Sequence, residues 1–177
     1  ADVDDRMDGA ISFAAGIVNT QPNGYQQVKR ARVEHNTVVN VRGAEVTFDW
    51  GIGERKRTLV PEALTIANNL IYSTHAALLE GATQPDWTWA DNILFGAVLG
   101  IEPRGGILLA DPKLELGTDG LWRPVAGGPA SQHGAALPPV AAAGDESGAS
   151  VDGVHGDAAY VLPRPLTGRD VGPVWGE

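Results

Sequence analysis

An α+β domain is what this sequence predicts, on three observations. Apolar and polar residues alternate across 26–50, a broad apolar stripe at helical spacing fills 60–80, and large apolar side chains become sparse after Val125. The expected architecture is a small antiparallel sheet packed with two or three helices, plus a long irregular C-terminal extension. A length of 177 residues suits one domain with a real core. The domain is expected at 1–125 and the extension at 126–177.

Taken in order, Met7, Ile11, Ala14 and Val18 recur at helical spacing, which predicts a short amphipathic helix over 5–18, weakened by Gly9 and Gly16. The turn residues Gln21-Pro22-Asn23-Gly24 end it. The period then changes to two. Ala44, Val46, Phe48 and Trp50 fall on one side of a strand, with Glu45, Thr47 and Asp49 on the other. Val39 and Val41 continue the pattern upstream across an Arg42-Gly43 turn, and 26–34 forms a weaker strand, so an antiparallel meander is expected.

Pro61 and Glu62 suit the first turn of a helix and Gly81 suits its C-terminal cap, with Leu64, Ala67, Ile71 and Leu78 as its apolar stripe. A further helix is expected from Asp86 as N-cap, through Trp87, Trp89, Ile93, Leu94 and Phe95, to about Leu99. Short strands follow at 107–110, 113–116 and 121–125, the last two joined by the hairpin turn Gly117-Thr118-Asp119-Gly120.

Half of residues 126–177 are Gly, Pro or Ala. A segment of that composition buries too little apolar surface to offset its ordering entropy. The extension is therefore expected to lie across neighbouring subunits, anchored by Tyr160, Leu162 and Trp175. The net charge of −9 is uneven, with Lys29, Arg30, Arg32, Arg42, Arg55, Lys56 and Arg57 gathered between 25 and 60. An acidic body disfavours non-specific nucleic-acid binding. Arg55, Lys56 and Arg57 are expected instead to meet other copies of the chain or other assembly subunits, with a solvated strand face as the alternative use of the basic zone.

Few motifs carry chemistry. Gly51-Ile52-Gly53-Glu54-Arg55-Lys56 begins like a dinucleotide fingerprint, but Lys56 stands where the third glycine belongs. Asp4 to Ala15 lacks the ligands of a calcium loop. The chain has no cysteine, and His35, His75, His133 and His155 show no zinc spacing. Asp152, His155 and Asp157 are ligand-type residues at close spacing within the extension. No cofactor, catalytic residue or metal site is assigned. Trp50, Trp87, Trp89 and Trp122 could form a stacking platform, though core and interface anchoring suits them better.

These features lead to the expectation of a non-enzymatic structural subunit of a large oligomer, most concretely a bacteriophage virion protein associated with the capsid or head–tail junction. Two alternatives stand beside it. One is a small enzyme with Asp49, Glu62 and His75 around a cleft; the other is a ligand- or nucleic-acid-binding module using the basic 29–57 segment. No apolar run is long enough to span a membrane, and the acidic start Ala1-Asp2-Val3-Asp4-Asp5 is unlike a secretory signal. Synthesis in a cytoplasm without a signal peptide is the corresponding expectation, with the virion or a large cytoplasmic assembly as the place of work.

Overall fold

A computed structural model of the protein describes residues 9–136. Among them the chain winds in successive coils, the first three each laying one strand on each of three parallel stacks. The first coil contributes β1 (Ile11–Ala14), β2 (Gly16–Ile17), β3 (Arg32–Glu34) and β4 (Thr37–Val39). The second contributes β5 (Val46–Trp50), β6 (Arg57–Leu59), β7 (Thr65–Ala67) and β8 (Leu70–Ser73). A third adds β9 (Leu79–Glu80), β10 (Thr88–Ala90) and β11 (Asn92–Gly96), and a fourth adds β12 (Ile107–Leu109).

The stacks run β1-β5-β9, β3-β7-β10 and β4-β8-β11-β12, all parallel within each stack. Register is kept from coil to coil: Val33 sits beside Ile66 and Ile66 beside Trp89, while Val38, Ile71 and Leu94 align in the neighbouring stack. A chain whose three main stacks pair in parallel with the strands one coil later is a β-helix. The short antiparallel pair β2–β6 braces one side. Inward residues of all three stacks form one core: Val46, Phe48, Leu64, Ile66, Ile71, Leu78, Leu79, Trp87 and Leu94.

The corners explain how so many short strands stay aligned. His35, Asn68 and Asp91 occupy the same corner of successive coils, all with left-handed backbone (φ 57°, 55° and 46°). The residues after them form a ladder. Asn69 Oδ1 accepts from Asn36 N and Nδ2 at 3.1 and 3.0 Å, and Asn92 Oδ1 accepts from Asn69 N and Nδ2 at 3.2 and 2.8 Å. Asn69 Nδ2 also donates to Val33 O and Asn92 Nδ2 to Ile66 O, so each amide ties its own coil to the one before.

The expected α+β fold is therefore corrected: among the described residues there is no α-helix, only strands, turns and one 3-10 turn at Pro129–Ser131. The apolar stripe of 60–80 is real, since Leu64, Ile71 and Leu78 are all buried. It arises because two period-two strands meet at the left-handed Asn68, and joining them across that corner imitates a helical spacing. Ala63 is left-handed as well, which a continuous helix excludes. The described part of the 5–18 stretch folds as β1–β2, and the 86–99 stretch as β10–β11. The meander is corrected in the same way: β3, β4 and β5 are strands, but their partners lie one coil away.

The hairpin is present, as β13 (Leu114–Leu116) and β14 (Trp122–Pro124), closed by Gly117 N donating to Leu121 O at 2.8 Å. With the Pro129–Ser131 turn it covers part of the outer face of the β4-β8-β11-β12 stack, where Leu114 and Ala130 pack on Leu70 and Ile93. Ala135 then exchanges two hydrogen bonds with the Asn68 side chain, of 2.7 and 3.0 Å. The rest of the expected extension, including Tyr160, Leu162, Trp175 and the Asp152–His155–Asp157 group, lies outside the described residues. Among those described, no helix is long and apolar enough to cross a membrane.

Candidate functional site

Period-two alternation on β5 sends Val46 and Phe48 into the core and Thr47 and Asp49 outward. Parallel register then aligns Ser12, Thr47 and Glu80 across the outer face of the β1-β5-β9 stack. A cleft of about 370 Å³ runs over this face, lined by these three with Asp49, Trp50 and Glu54, and by small residues including Gly43, Ala44 and Gly51. The volume is in the range of ordinary small-molecule sites. Its walls offer hydroxyls, carboxylates and one indole.

Two features fix its shape. Asp49 Oδ2 accepts from Ala82 N at 2.9 Å, and its Oδ1 occupies the space a side chain at Gly81 would need; Gly81 is left-handed at φ 104°. The turn from β5 to β6 is held by Ile52 N on Asp49 O (2.9 Å), Gly53 N on Arg57 O (2.9 Å) and Arg57 N on Glu54 O (2.8 Å). The Gly51–Lys56 motif is thus a turn beside the cleft, with Gly51, Gly53, Arg55 and Lys56 all at positive φ.

The basic residues singled out from sequence are dispersed by the fold. Arg55 and Lys56 are exposed at the tip of that turn, whereas Arg57 is buried. Lys29 pairs with Glu62 at 2.8 Å and Arg32 with Glu34. Of Asp49, Glu62 and His75, proposed as a fold-assembled triad, only Asp49 lines the cleft. Glu62 faces Lys29, and His75 Nε2 lies 2.7 Å from Val41 O and donates to it. Trp87 and Trp89 pack on Phe48, with ring centroids 4.9 and 5.8 Å away, so they belong to the core. Among the described tryptophans, Trp50 alone lines the cleft. Among the described residues, no group of three His, Cys, Asp or Glu is placed to hold a metal ion.

A second polar cluster sits at the bend leading into β5. Glu45 is fully buried and accepts from Val41 N through both oxygens at 3.2 Å. Burial raises its carboxyl above the ordinary glutamate value, against the lowering effects of the Val41 and Ser73 hydrogen bonds and of His75. The folded protein therefore keeps a proton on Glu45 where the unfolded chain has released it. The stability this group contributes falls as pH rises from the ordinary glutamate value through the raised one. Glu45→Gln is expected to flatten that part of the profile, as read from urea midpoints taken upward in pH from the ordinary glutamate value; a profile unchanged by the substitution would contradict the assignment.

Fold and cleft together define a parallel β-helix with a polar groove on one outer face. No family model and no curated protein matches the sequence. Among solved structures, the chain is similar to the PL6 family alginate lyase AlyGC, at 26% identity and a TM-score of 0.54, and to a point mutant of it, at 27% identity and the same TM-score. Each match covers 64% of this chain and 15% of that protein, so the chain spans a small part of the lyase's length. These neighbours are enzymes. They overturn the expectation of a non-enzymatic assembly or virion subunit, which rested on the composition of a segment that lies mostly outside the described residues and on a fold the chain does not adopt.

Proposed function

We propose that this chain forms coils of a carbohydrate-active β-helix of the polysaccharide lyase kind, and that the cleft over Ser12, Thr47 and Glu80 binds an acidic polysaccharide such as alginate. The observation that carries this reading is the likeness to AlyGC over 64% of the chain. The cleft supports it. Polar side chains in register along parallel strands suit a polymer whose hydroxyls recur along its length, because they can both donate and accept. Asp49, Glu54 and Glu80 accept from sugar hydroxyls, Ser12 and Thr47 do either, and Trp50 gives an apolar sugar face something to pack on.

The test is retention on alginate. The full chain is expected to be slowed in affinity electrophoresis through gels containing alginate. Thr47→Trp fills the cleft from an outward position and is expected to weaken that retention at least about tenfold, a loss matching one to two good polar contacts. Its thermal midpoint should stay within about 2 °C of the parent, as for a surface substitution. Migration unaffected by alginate would remove the reading; equal retention of the parent and Thr47→Trp would place the polysaccharide elsewhere.

A further inference from the structure

Arg57 is only 2% exposed, yet among the described residues it makes no ion pair. Its guanidinium lies between two rings, 4.0 Å from the Tyr25 centroid and 4.6 Å from that of Trp50. Nη1 donates to Trp50 O at a long 3.4 Å, and Nε has no partner. The guanidinium fills the space of the missing Gly51 side chain, so it sits directly behind two residues that line the cleft. An arginine buried without a carboxylate is costly, and cation–π contacts offset only part of that cost without neutralising the charge. Tyr25 and Trp50 also shield it from water, which leaves its field little screened in the direction of the cleft.

The cleft itself needs such a charge. Asp49, Glu54 and Glu80 line it, and the whole chain carries −9, both of which repel an acidic polymer. We propose that Arg57 is the charge-selecting residue of this cleft: held behind Trp50 and Gly51, it makes that end favourable for the carboxylate of an acidic sugar. It is a positioning residue acting through space and through the Trp50 ring. This inference rests on the carbohydrate reading of the cleft and adds to it which residue distinguishes acidic from neutral sugars.

The experiment is calorimetric titration of the full chain with an oligomannuronate trisaccharide and with its carboxyl-reduced, neutral counterpart. The parent is expected to bind the acidic probe at least about tenfold more tightly, a preference that shrinks as salt is added. Arg57→Gln is expected to abolish the preference while leaving neutral-probe affinity within about threefold, and Arg57→Lys, which keeps the charge, to retain most of it. Circular dichroism establishes that each variant is folded. If Arg57→Gln does not fold, the parent's probe preference and the Arg57→Lys result decide. Equal affinity of the parent for both probes, or a preference surviving in folded Arg57→Gln, overturns the role of Arg57 and leaves the cleft reading standing. Binding of neither probe overturns both.

Discussion

Phe48→Ala is expected to lower stability by about 3–5 kcal/mol, among the largest effects of any single truncation in the described chain. Phe48 has no exposed surface, and its ring meets Phe13, Trp87 and Trp89 at centroid distances of 6.2, 4.9 and 5.8 Å. Those partners come from the first and third coils, while Phe48 belongs to the second. Removing the ring therefore opens a cavity where three coils meet. Neighbours fixed by parallel strand pairing can close it only partly, so the loss combines the transfer free energy of the ring with the cavity itself. Equilibrium denaturation in urea measures it, with Leu116→Ala as control: Leu116 is 58% exposed, and its truncation should change stability by less than about 0.5 kcal/mol. A Phe48→Ala loss below about 1 kcal/mol would mean that the ring is not at the core of stacked coils.

Asn69→Ala is expected to cost roughly 2–4 kcal/mol although it removes hardly any apolar surface. The side chain joins three coils: it accepts from Asn36, and it donates to Asn92 Oδ1 at 2.8 Å and to Val33 O at 2.9 Å. Truncation strands buried donors and acceptors on both neighbouring coils, and the penalty is the desolvation of those groups rather than the bonds alone. Asn69→Asp separates this account from simple packing. It conserves shape but loses both donated bonds and sets a carboxylate against two oxygen acceptors. At neutral pH it should be at least as damaging as alanine. Its stability should recover as pH falls, because the unfavourable surroundings raise the folded carboxyl's pKa and the protonated form can donate again. An Asn69→Asp protein as stable as the parent at neutral pH would remove the ladder from the forces holding the coils in register.

How much of this was legible beforehand depends on the range of the interaction behind each element. The alternation of Val46, Thr47, Phe48 and Asp49 was readable, because which side of a strand is buried is written in adjacent residues. So was the 114–124 hairpin, whose turn and both strands lie within a dozen positions. The coil repeat was not. Its register joins Val33 to Ile66 and Ile66 to Trp89, at separations of 33 and 23 residues, and unequal spacing hides a repeat from any fixed-period reading. Asn36, Asn69 and Asn92 were the visible trace of it. They look like scattered turn residues until the coils are superposed.

The sequence by itself determined which residues seek the core, where the chain must turn, and that Leu64, Ile71 and Leu78 are buried together. It left open whether that stripe belonged to a helix or to strands bent at a corner, since both bring the same residues to one side. Tertiary structure decided it, because the backbone groups of a parallel strand find partners only in another coil and not within their own segment. The same holds for the cleft. Ser12, Thr47 and Glu80 have no local pattern in common, and the dispersal of the basic residues, with Arg57 buried between Tyr25 and Trp50 and Lys29 drawn to Glu62, follows from which coil lies beside which. Neighbours one coil apart are set by the pitch of the fold, and that is a property of the assembled coils rather than of any stretch of chain.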